Sequence, residues 1–561
     1  MIRLKFWKKI PLTPEEKKER NKRRLLAVTS GLLLGLAFPP IPFPFTLLLF
    51  VALVPYFFAI EKPEKLADLN RITYLTAFVF CVITIYWVGS WTPEADPFLM
   101  IGGVLLLFFN PIFFLISSTL FYFTKQVFNR KVALFLFPFF WVTYEYAYML
   151  TDASFPWLTL ANGLTYFNSF IQVADIVGAL GITLLVIFVN LFLYLAIKEL
   201  IKRKKQTEYS FRTITFTSTL AFLIFVLPLV YGFNVRSNFN LPEKKIRVGL
   251  IQPDLNPWEK WKGGNLWDVA KIYLDLSQKA VKQDAELIIW PETAFPVYLM
   301  DGTNEAEVDS IYKFIRNNNV YLLTGMPDFK TYFKKEEAPF DAKHSKKTDL
   351  YYTTYNGIML FSPHTRQVQR YGKMKLVPFG EHVPFADVLP FLGGLIKWEV
   401  GLSGWNKGRD TTVFNVPVRN SVDTAKVNAL VCFESVYPDF VAQFARRGAN
   451  MISVVTNDSW YGNSSGPYQH KEISVLRAIE NRRSVVRAAN GGISTIIDPL
   501  GNTVAQTKMY TTDFLVGDVW LENEKTFYSK NPLIVPVISY VVSLFVIGLF
   551  FLNKLKKFLK I

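Results

Sequence analysis

Sulfur and histidine are scarce in this chain. Its 561 residues include two cysteines, Cys81 and Cys432, and four histidines, His344, His364, His382 and His470. Two cysteines exclude a disulfide framework. Cys81 falls inside an apolar run suited to a membrane span, so Cys432 has no mate outside lipid. The histidines have no ligand-like spacing with one another or with cysteine, which argues against a metal site. Charged residues make up only 19% of the chain, against 51% hydrophobic and 16% aromatic, which is too oily for an ordinary soluble enzyme.

What replaces the missing charge is a set of long apolar runs. A bilayer core of roughly 30 Å needs about 20 residues of helix. Runs over 24–40, 42–60, 72–92, 97–123, 131–150, 166–198, 213–232 and 533–552 meet or approach this, giving about eight expected spans. The prolines of "FPPIPFPF" separate the first two, because proline does not continue a helix. Glu145 and several tyrosines interrupt the fifth. The net charge of +17 is concentrated in "KKERNKRR", "EKPEKLADLNR", "KQVFNRK", "IKRKKQ" and the tail "NKLKKFLKI", whereas "WTPEAD" and "TDASFPW" carry no Lys or Arg. Short basic loops stay in the cytoplasm, so this pattern reports topology rather than a nucleic-acid surface. An even span count puts both termini inside and sends residues 233–532 to the far side. The first apolar run lacks a cleavage site, so no cleavable signal peptide is expected. The expected units are therefore a membrane domain over 1–232, an extracytoplasmic domain over 233–532, and a last span with a basic tail over 533–561.

Within 233–532 the period changes. Segments 245–252, 285–292, 319–325, 355–362, 427–433 and 451–457 read as short strands, several apolar on both faces. Helical spacing recurs over 268–283 and 466–488. Alternation of this kind predicts an α/β domain of roughly 300 residues with a real core. The mixed-charge tract 334–349 reads as a solvated loop.

Three strand ends carry reactive side chains: Glu292 in "IIWPETAFP", Lys373 in "YGKMKLVPFGEHVP" and Cys432 in "VNALVCFESVYP". In open α/β sheets such positions converge although distant in sequence. Taken singly, Cys432 reads as a small buried hydrophobe, Glu292 as a helix-capping anion and Lys373 as a solvated charge. Compartment singles out Cys432, because an unpaired extracytoplasmic thiol is a liability unless it works.

The order "WPE", then Lys in "YGKMKLVPFGE", then Cys in "VCFES" resembles the Glu-Lys-Cys triad of the nitrilase, or carbon–nitrogen hydrolase, superfamily. Joined to the predicted spans, and with "IQPDLNPWEKW", "VPFGEHVPF" and "TNDSWYGNSSGPYQH" as further matches, the whole chain resembles the bacterial apolipoprotein N-acyltransferases. It departs from that pattern at Met374 and Lys375, where a histidine often follows the lysine, and at Phe433, where an aromatic hydroxyl is common. The resemblance implies a nitrilase-like αββα sandwich beside a multi-pass helical domain, in the bacterial inner membrane. It implies acyl transfer from a phospholipid, typically phosphatidylethanolamine, to the α-amine of a diacylglyceryl cysteine on a lipoprotein, with no metal or organic cofactor. It also implies Glu381 as a fourth catalytic-shell residue, and Trp261, Trp460 and Tyr461 beside the acyl pocket.

The chemistry agrees with those roles. A thiol of pKa about 8.5 is mostly protonated at neutral pH and needs a base, for which Glu292 is the candidate. Lys373 and the N–H of Phe433 are candidates to hold an oxyanion. Glu434, two residues after Cys432, shares the thiol's face only if the strand continues that far. The apolar segment 383–405 reads either as a packed loop or as a Gly-hinged arm with Phe391 and Trp398 dipping into the outer leaflet. Two other classes remain: a membrane-anchored amidase or nitrilase-type hydrolase using the same triad, and a transporter with an appended domain. Few ionisable residues lie within the spans, which weakens the transporter reading.

Overall fold

The computed structural model describes residues 12–261, 265–385 and 404–559. Among these, six helices are long and apolar enough to cross a bilayer: Leu66–Gly89, Pro97–Val127, Arg130–Leu150, Ala174–Lys204, Phe211–Asn238 and Ile534–Leu559. The two other expected spans take different forms. The run at 24–40 belongs to helix Pro14–Leu36, whose first half is charged and starts in a capping box between Thr13 and Glu16. The run at 42–60 divides into a 3-10 turn, Phe45–Phe50, and a short helix, Val54–Ile60. The prolines between and within these pieces remove the N–H groups that a single helix would need.

The expected long span 166–198 is also subdivided. It opens with the short helix Asn168–Ile171, and helix Ala174–Lys204 breaks at Gly178, which has φ +68°. A Cβ there would strike the Tyr528 ring. The break leaves the Ala179 N–H free, and it donates to Glu480 Oε1 at 2.8 Å, a carboxylate from the α/β domain.

Among the described residues that domain has thirteen strands: β1 Lys245–Gln252, β2 Leu287–Trp290, β3 Tyr321–Tyr332, β4 Lys343–Ser345, β5 Leu350–Phe361, β6 Gln369–Gly372, β7 Val413–Pro417, β8 Thr424–Val431, β9 Met451–Thr456, β10 Ser484–Ala489, β11 Thr495–Ile497, β12 Thr503–Gln506 and β13 Asp513–Trp520. One sheet runs β13-β1-β2-β3-β5-β4, with β6 also paired to β5; the other runs β12-β11-β10-β9-β8-β7. The central pairs β1–β2, β2–β3, β8–β9 and β9–β10 are parallel, so their C-terminal ends collect on one edge.

Period-two alternation explains the layering. Leu287 and Ile289 join Val427, Ala429 and Val455 in the core between the sheets. Their neighbours Ile288 and Trp290 face outward onto helices Leu266–Val281 and Glu305–Asn318. The opposite sheet is covered by helices Pro438–Arg446 and Ser465–Asn481. An αββα sandwich results. The helix expected over 466–488 ends at Asn481, because Arg482 turns left-handed at φ +48° and the β-branched stretch after it enters the sheet as β10.

Helix Ser465–Asn481 is buried nearly all round because the membrane helices cover its other side. Gln469 shows how. Its carbonyl oxygen accepts from the indoles of Trp87 (3.0 Å) and Trp157 (2.8 Å), and its amide donates to the carbonyls of Pro39 (2.9 Å) and Thr84 (3.0 Å). Arg482 donates to Asp175 Oδ2 from Nε (3.1 Å) and Nη2 (2.7 Å) and to Gln172 Oε1 (2.6 Å). Asp175→Ala strands that guanidinium in the interface, at a cost of about 3–5 kcal/mol. The full detergent-solubilised chain is expected to melt at clearly lower temperature than wild type, and an unchanged Tm would contradict the interface described.

Candidate active site at the strand ends

Glu292, Lys373 and Cys432 each follow a strand directly: β2 through Pro291, β6 and β8. The fold brings them together at one edge of the sandwich. Lys373 is 1% exposed, Glu292 8% and Glu381 9%. The ammonium of Lys373 lies 2.9 Å from the Glu381 carboxylate and 3.4 Å from Glu292 Oε1. Asn356, from β5, donates its amide to Glu292 Oε1 and to Glu381 Oε1, both at 2.7 Å. The N–H of Asn457 donates to Glu292 Oε2 (3.1 Å), and that of Val377 to Glu381 Oε2 (2.8 Å). A buried cation is thus held between two buried anions whose positions are fixed by an amide. Sequence reasoning missed Asn356; its signal was a polar residue inside the apolar run "YNGIMLF".

The local backbone is strained at two of these positions. Thr293, just after Glu292, has φ +45°, and Cys432 has φ +49°. Left-handed conformations at non-glycine residues cost energy and cluster at functional sites. At Cys432 the strand has already ended at Val431, and a 3-10 helix, Cys432–Val436, begins. Strand alternation therefore does not carry Glu434 to the thiol's face. Glu434 is 0% exposed. Its carboxylate accepts from Val431 N (2.9 Å), Tyr371 Oη (2.7 Å), Met374 N (2.7 Å) and Lys375 N (3.2 Å). It pins the segment after Lys373 to the segment around Cys432.

Charge sets the proton affinities. Burial pushes the Cys432 thiol up; Glu292 adds to this, and Lys373 opposes it. Burial also raises Glu292, with Glu381 adding and Lys373 opposing. For Lys373 burial acts to lower, but Glu381, Glu292 and Cys432 outweigh it and the net direction is upward. At rest the site therefore holds a thiol, not a thiolate, beside a charged ammonium.

The aromatic candidates lie where the two domains meet. Trp460 packs edge-on against Trp258 with centroids 4.7 Å apart, and Tyr461 against Trp87 at 4.8 Å. Burial raises the Tyr461 hydroxyl, and Cys432 adds to the rise. The Trp261 indole N–H is buried without a hydrogen-bond partner. Phe433 is stacked on Phe155 of the membrane domain at 5.7 Å. Of the apolar segment 383–405, residues 386–403, including Phe391 and Trp398, lie outside the described residues. Its flanks are tied to the membrane domain: Asp152 accepts from the Phe385 N–H (2.7 Å) and Lys407 Nζ (2.6 Å), and lies 3.0 Å from His382 Nε2.

Cys432, Asp458 and His470 each bring one ligand-type atom within 4.8 Å of the others, a proximity that the histidine spacing in the sequence did not anticipate. Arg487 fills the place of a cation there, bonded to Asp458 Oδ2 through Nη2, which lies 3.1 Å from His470 Nδ1.

Residues 247–527 match the family model for carbon–nitrogen hydrolases, and residues 30–192 match that for the N-terminal domain of apolipoprotein N-acyltransferases. The apolipoprotein N-acyltransferase of Chlorobaculum tepidum is 35% identical over 520 residues, covering 92% of this chain and 94% of its own. The chain belongs to the apolipoprotein N-acyltransferase family. The Geobacter metallireducens member is 30% identical over 523 residues, covering 90% of this chain and 91% of its own. A solved nitrilase-superfamily protein from Saccharomyces cerevisiae is 16% identical, covering 53% of this chain and 97% of its own, with a TM-score of 0.35.

The raised thiol makes a prediction that any thiol reagent can check. Cys81 is fully buried, so iodoacetamide reports on Cys432. Its alkylation rate is expected to keep climbing past about pH 9, without the plateau of an ordinary thiol of pKa near 8.5. A plateau below neutrality would mean a preformed thiolate.

Proposed function

We propose that this protein carries an acyl chain on Cys432 from a membrane phospholipid to the α-amine of a diacylglyceryl cysteine at a lipoprotein N-terminus. The observation that carries the proposal is an accessible, unpaired thiol beside a carboxylate and a buried ammonium, in a domain docked on membrane helices. Relatives named for N-acylation of apolipoproteins support this over a water-consuming amidase. The donor is taken to be phosphatidylethanolamine. The working units are 1–232, 233–532 and 533–561, with the catalytic unit beyond the inner membrane and the basic ends facing the cytoplasm, as the Lys and Arg distribution favours.

In the first half-reaction Glu292 takes the thiol proton as sulfur attacks the ester carbonyl, and Lys373 with the Phe433 N–H holds the oxyanion. Collapse breaks the carbon–oxygen bond. Glu292 returns the proton to the departing lysophospholipid oxygen, leaving a thioester. In the second, the α-amine, of pKa about 7.7–8.0, attacks as its free base. The carbon–sulfur bond breaks, and the amine's proton passes through Glu292 to sulfur. Glu381, with Asn356, keeps Lys373 and Glu292 in register throughout. Trp261, Trp460 and Tyr461 are proposed to line the acyl path. Phe433 contributes its backbone N–H, and Glu434 is a scaffold rather than a binding group.

Incubation with acyl-labelled phosphatidylethanolamine is expected to label Cys432 in a form that hydroxylamine releases, and Cys432→Ala abolishes the label. Lys373→Met is expected to slow labelling by about 10²–10³-fold, the usual cost of one oxyanion donor. Absence of label, with ammonia released from small amides, would favour the hydrolase.

A further inference from the structure

The carbonyl of Cys432 belongs to the same peptide unit as the N–H of Phe433. That N–H lies in the first turn of the 3-10 helix Cys432–Val436, where no intrahelical carbonyl can accept it. The carbonyl, by contrast, is gripped. Ser435 Oγ donates to it at 2.8 Å, and His470 Nε2 stands 3.1 Å from it and 3.0 Å from Ser435 Oγ. On the ring's other side Nδ1 lies 2.9 Å from Asp458 Oδ1 and 3.1 Å from Arg487 Nη2. Asp458 Oδ1 also accepts from Thr456 Oγ1 at 3.0 Å. His470 and Asp458 are each 2% exposed, and Arg487 is fully buried.

With the Ser435 hydroxyl proton committed to the Cys432 carbonyl, a bare Nε2 would face two oxygen lone pairs, so Nε2 carries a proton. If only Nδ1 were protonated, its N–H would reach Asp458 Oδ1 at 2.9 Å while facing an Arg487 N–H at 3.1 Å, and the bare Nε2 would face the Ser435 oxygen at 3.0 Å and the Cys432 carbonyl at 3.1 Å. The imidazolium and the Nε2–H tautomer both avoid the clash at the carbonyl. The first also donates to Asp458; the second lets Arg487 donate into Nδ1. In either form Nε2–H points at the Cys432 oxygen.

We propose that His470, held by Asp458 and Arg487, is a positioning residue that grips and polarises the Cys432–Phe433 peptide, so that the Phe433 N–H is a stronger and better-aimed donor to the acyl oxyanion. Hydrogen bonds in a chain strengthen one another, and a low-dielectric site amplifies the effect. His470 touches no reacting atom; it works through the peptide. Gln469, next in sequence, is clamped by Trp87 and Trp157, and the Trp157 ring packs 5.4 Å from that of His470. Docking of the membrane domain thus sets the position of the helix that carries the grip.

The inference rests on the thioester reading above. Full-length enzyme in detergent is loaded with phosphatidylethanolamine bearing a ¹³C-labelled acyl carbonyl, and the thioester stretch is read by isotope-edited infrared spectroscopy. His470→Leu is expected to move the band to higher wavenumber than in wild type. It should also lower the acylation rate constant by about tenfold or more, short of the roughly 10²–10³-fold for losing a donor outright, with the KM for phospholipid unchanged. His470→Gln, which keeps an N–H, is expected to restore most of the shift. A folded His470→Leu with the wild-type band and rate overturns the proposal. Should that variant fail to fold, Ser435→Ala decides: a smaller shift in the same direction supports the grip, and an unmoved band refutes it. No thioester band in wild type would overturn the thioester reading itself.

Discussion

A lysine ammonium with 1% of its surface exposed cannot stand alone, and in this chain it does not. Lys373 is flanked by Glu381 at 2.9 Å and Glu292 at 3.4 Å, and Asn356 ties the two carboxylates to each other. Removing water from a charge costs several kcal/mol unless partners restore it, so this cluster is either complete or ruinous. Its completeness decides the chemistry. Two anions for one cation leave no room for a third negative charge, so the resting sulfur stays protonated. On the proposed route, ionisation then waits for a substrate whose carbonyl oxygen takes up the negative charge.

The second constraint is the absence of a solvent face on half of the sandwich. Helix Ser465–Asn481 would cover the sheet in a soluble relative of the fold; here a further layer of membrane helices lies over it. The contact is polar at its fixed points, in Gln469, Arg482 with Asp175, and Glu480 with the Ala179 N–H. It is aromatic between them, in Trp87, Trp157, Phe155 and Phe433. Polar groups buried this way have few alternative arrangements, so they fix orientation as well as contributing stability. Phe433, immediately after Cys432, is one of the residues packed across that boundary.

Much of this was legible in the sequence, and for physical reasons. Glu292, Lys373 and Cys432 end apolar strands, and such ends gather at one sheet edge whatever the intervening loops do. The long apolar runs and the one-sided lysines and arginines announced the membrane domain. Residues whose role depends on a neighbour distant in sequence were hidden. Asn356 is one polar position in a strand until Glu292 and Glu381 arrive on either side of it. His470 has no spacing relation to Asp458 or Cys432 that a metal or triad pattern would flag. The condition that would put Glu434 on the thiol's face is not met, because the strand ends at Val431, and the helix expected over 466–488 is cut short because Arg482 takes a left-handed turn that periodicity does not encode. The first two expected spans take other forms because proline breaks the run over 42–60, and the run over 24–40 supplies only the second half of a helix whose first half is charged.

What distinguishes a shuttling thioester from direct transfer is whether the two substrates ever need to be present together. Enzyme acylated with labelled phosphatidylethanolamine can be freed of donor lipid and mixed with a diacylglyceryl lipopeptide alone. Quantitative passage of the label from Cys432 to the peptide's α-amine in a single turnover is the expected result. Label that stays on the protein until phospholipid is added back would contradict it.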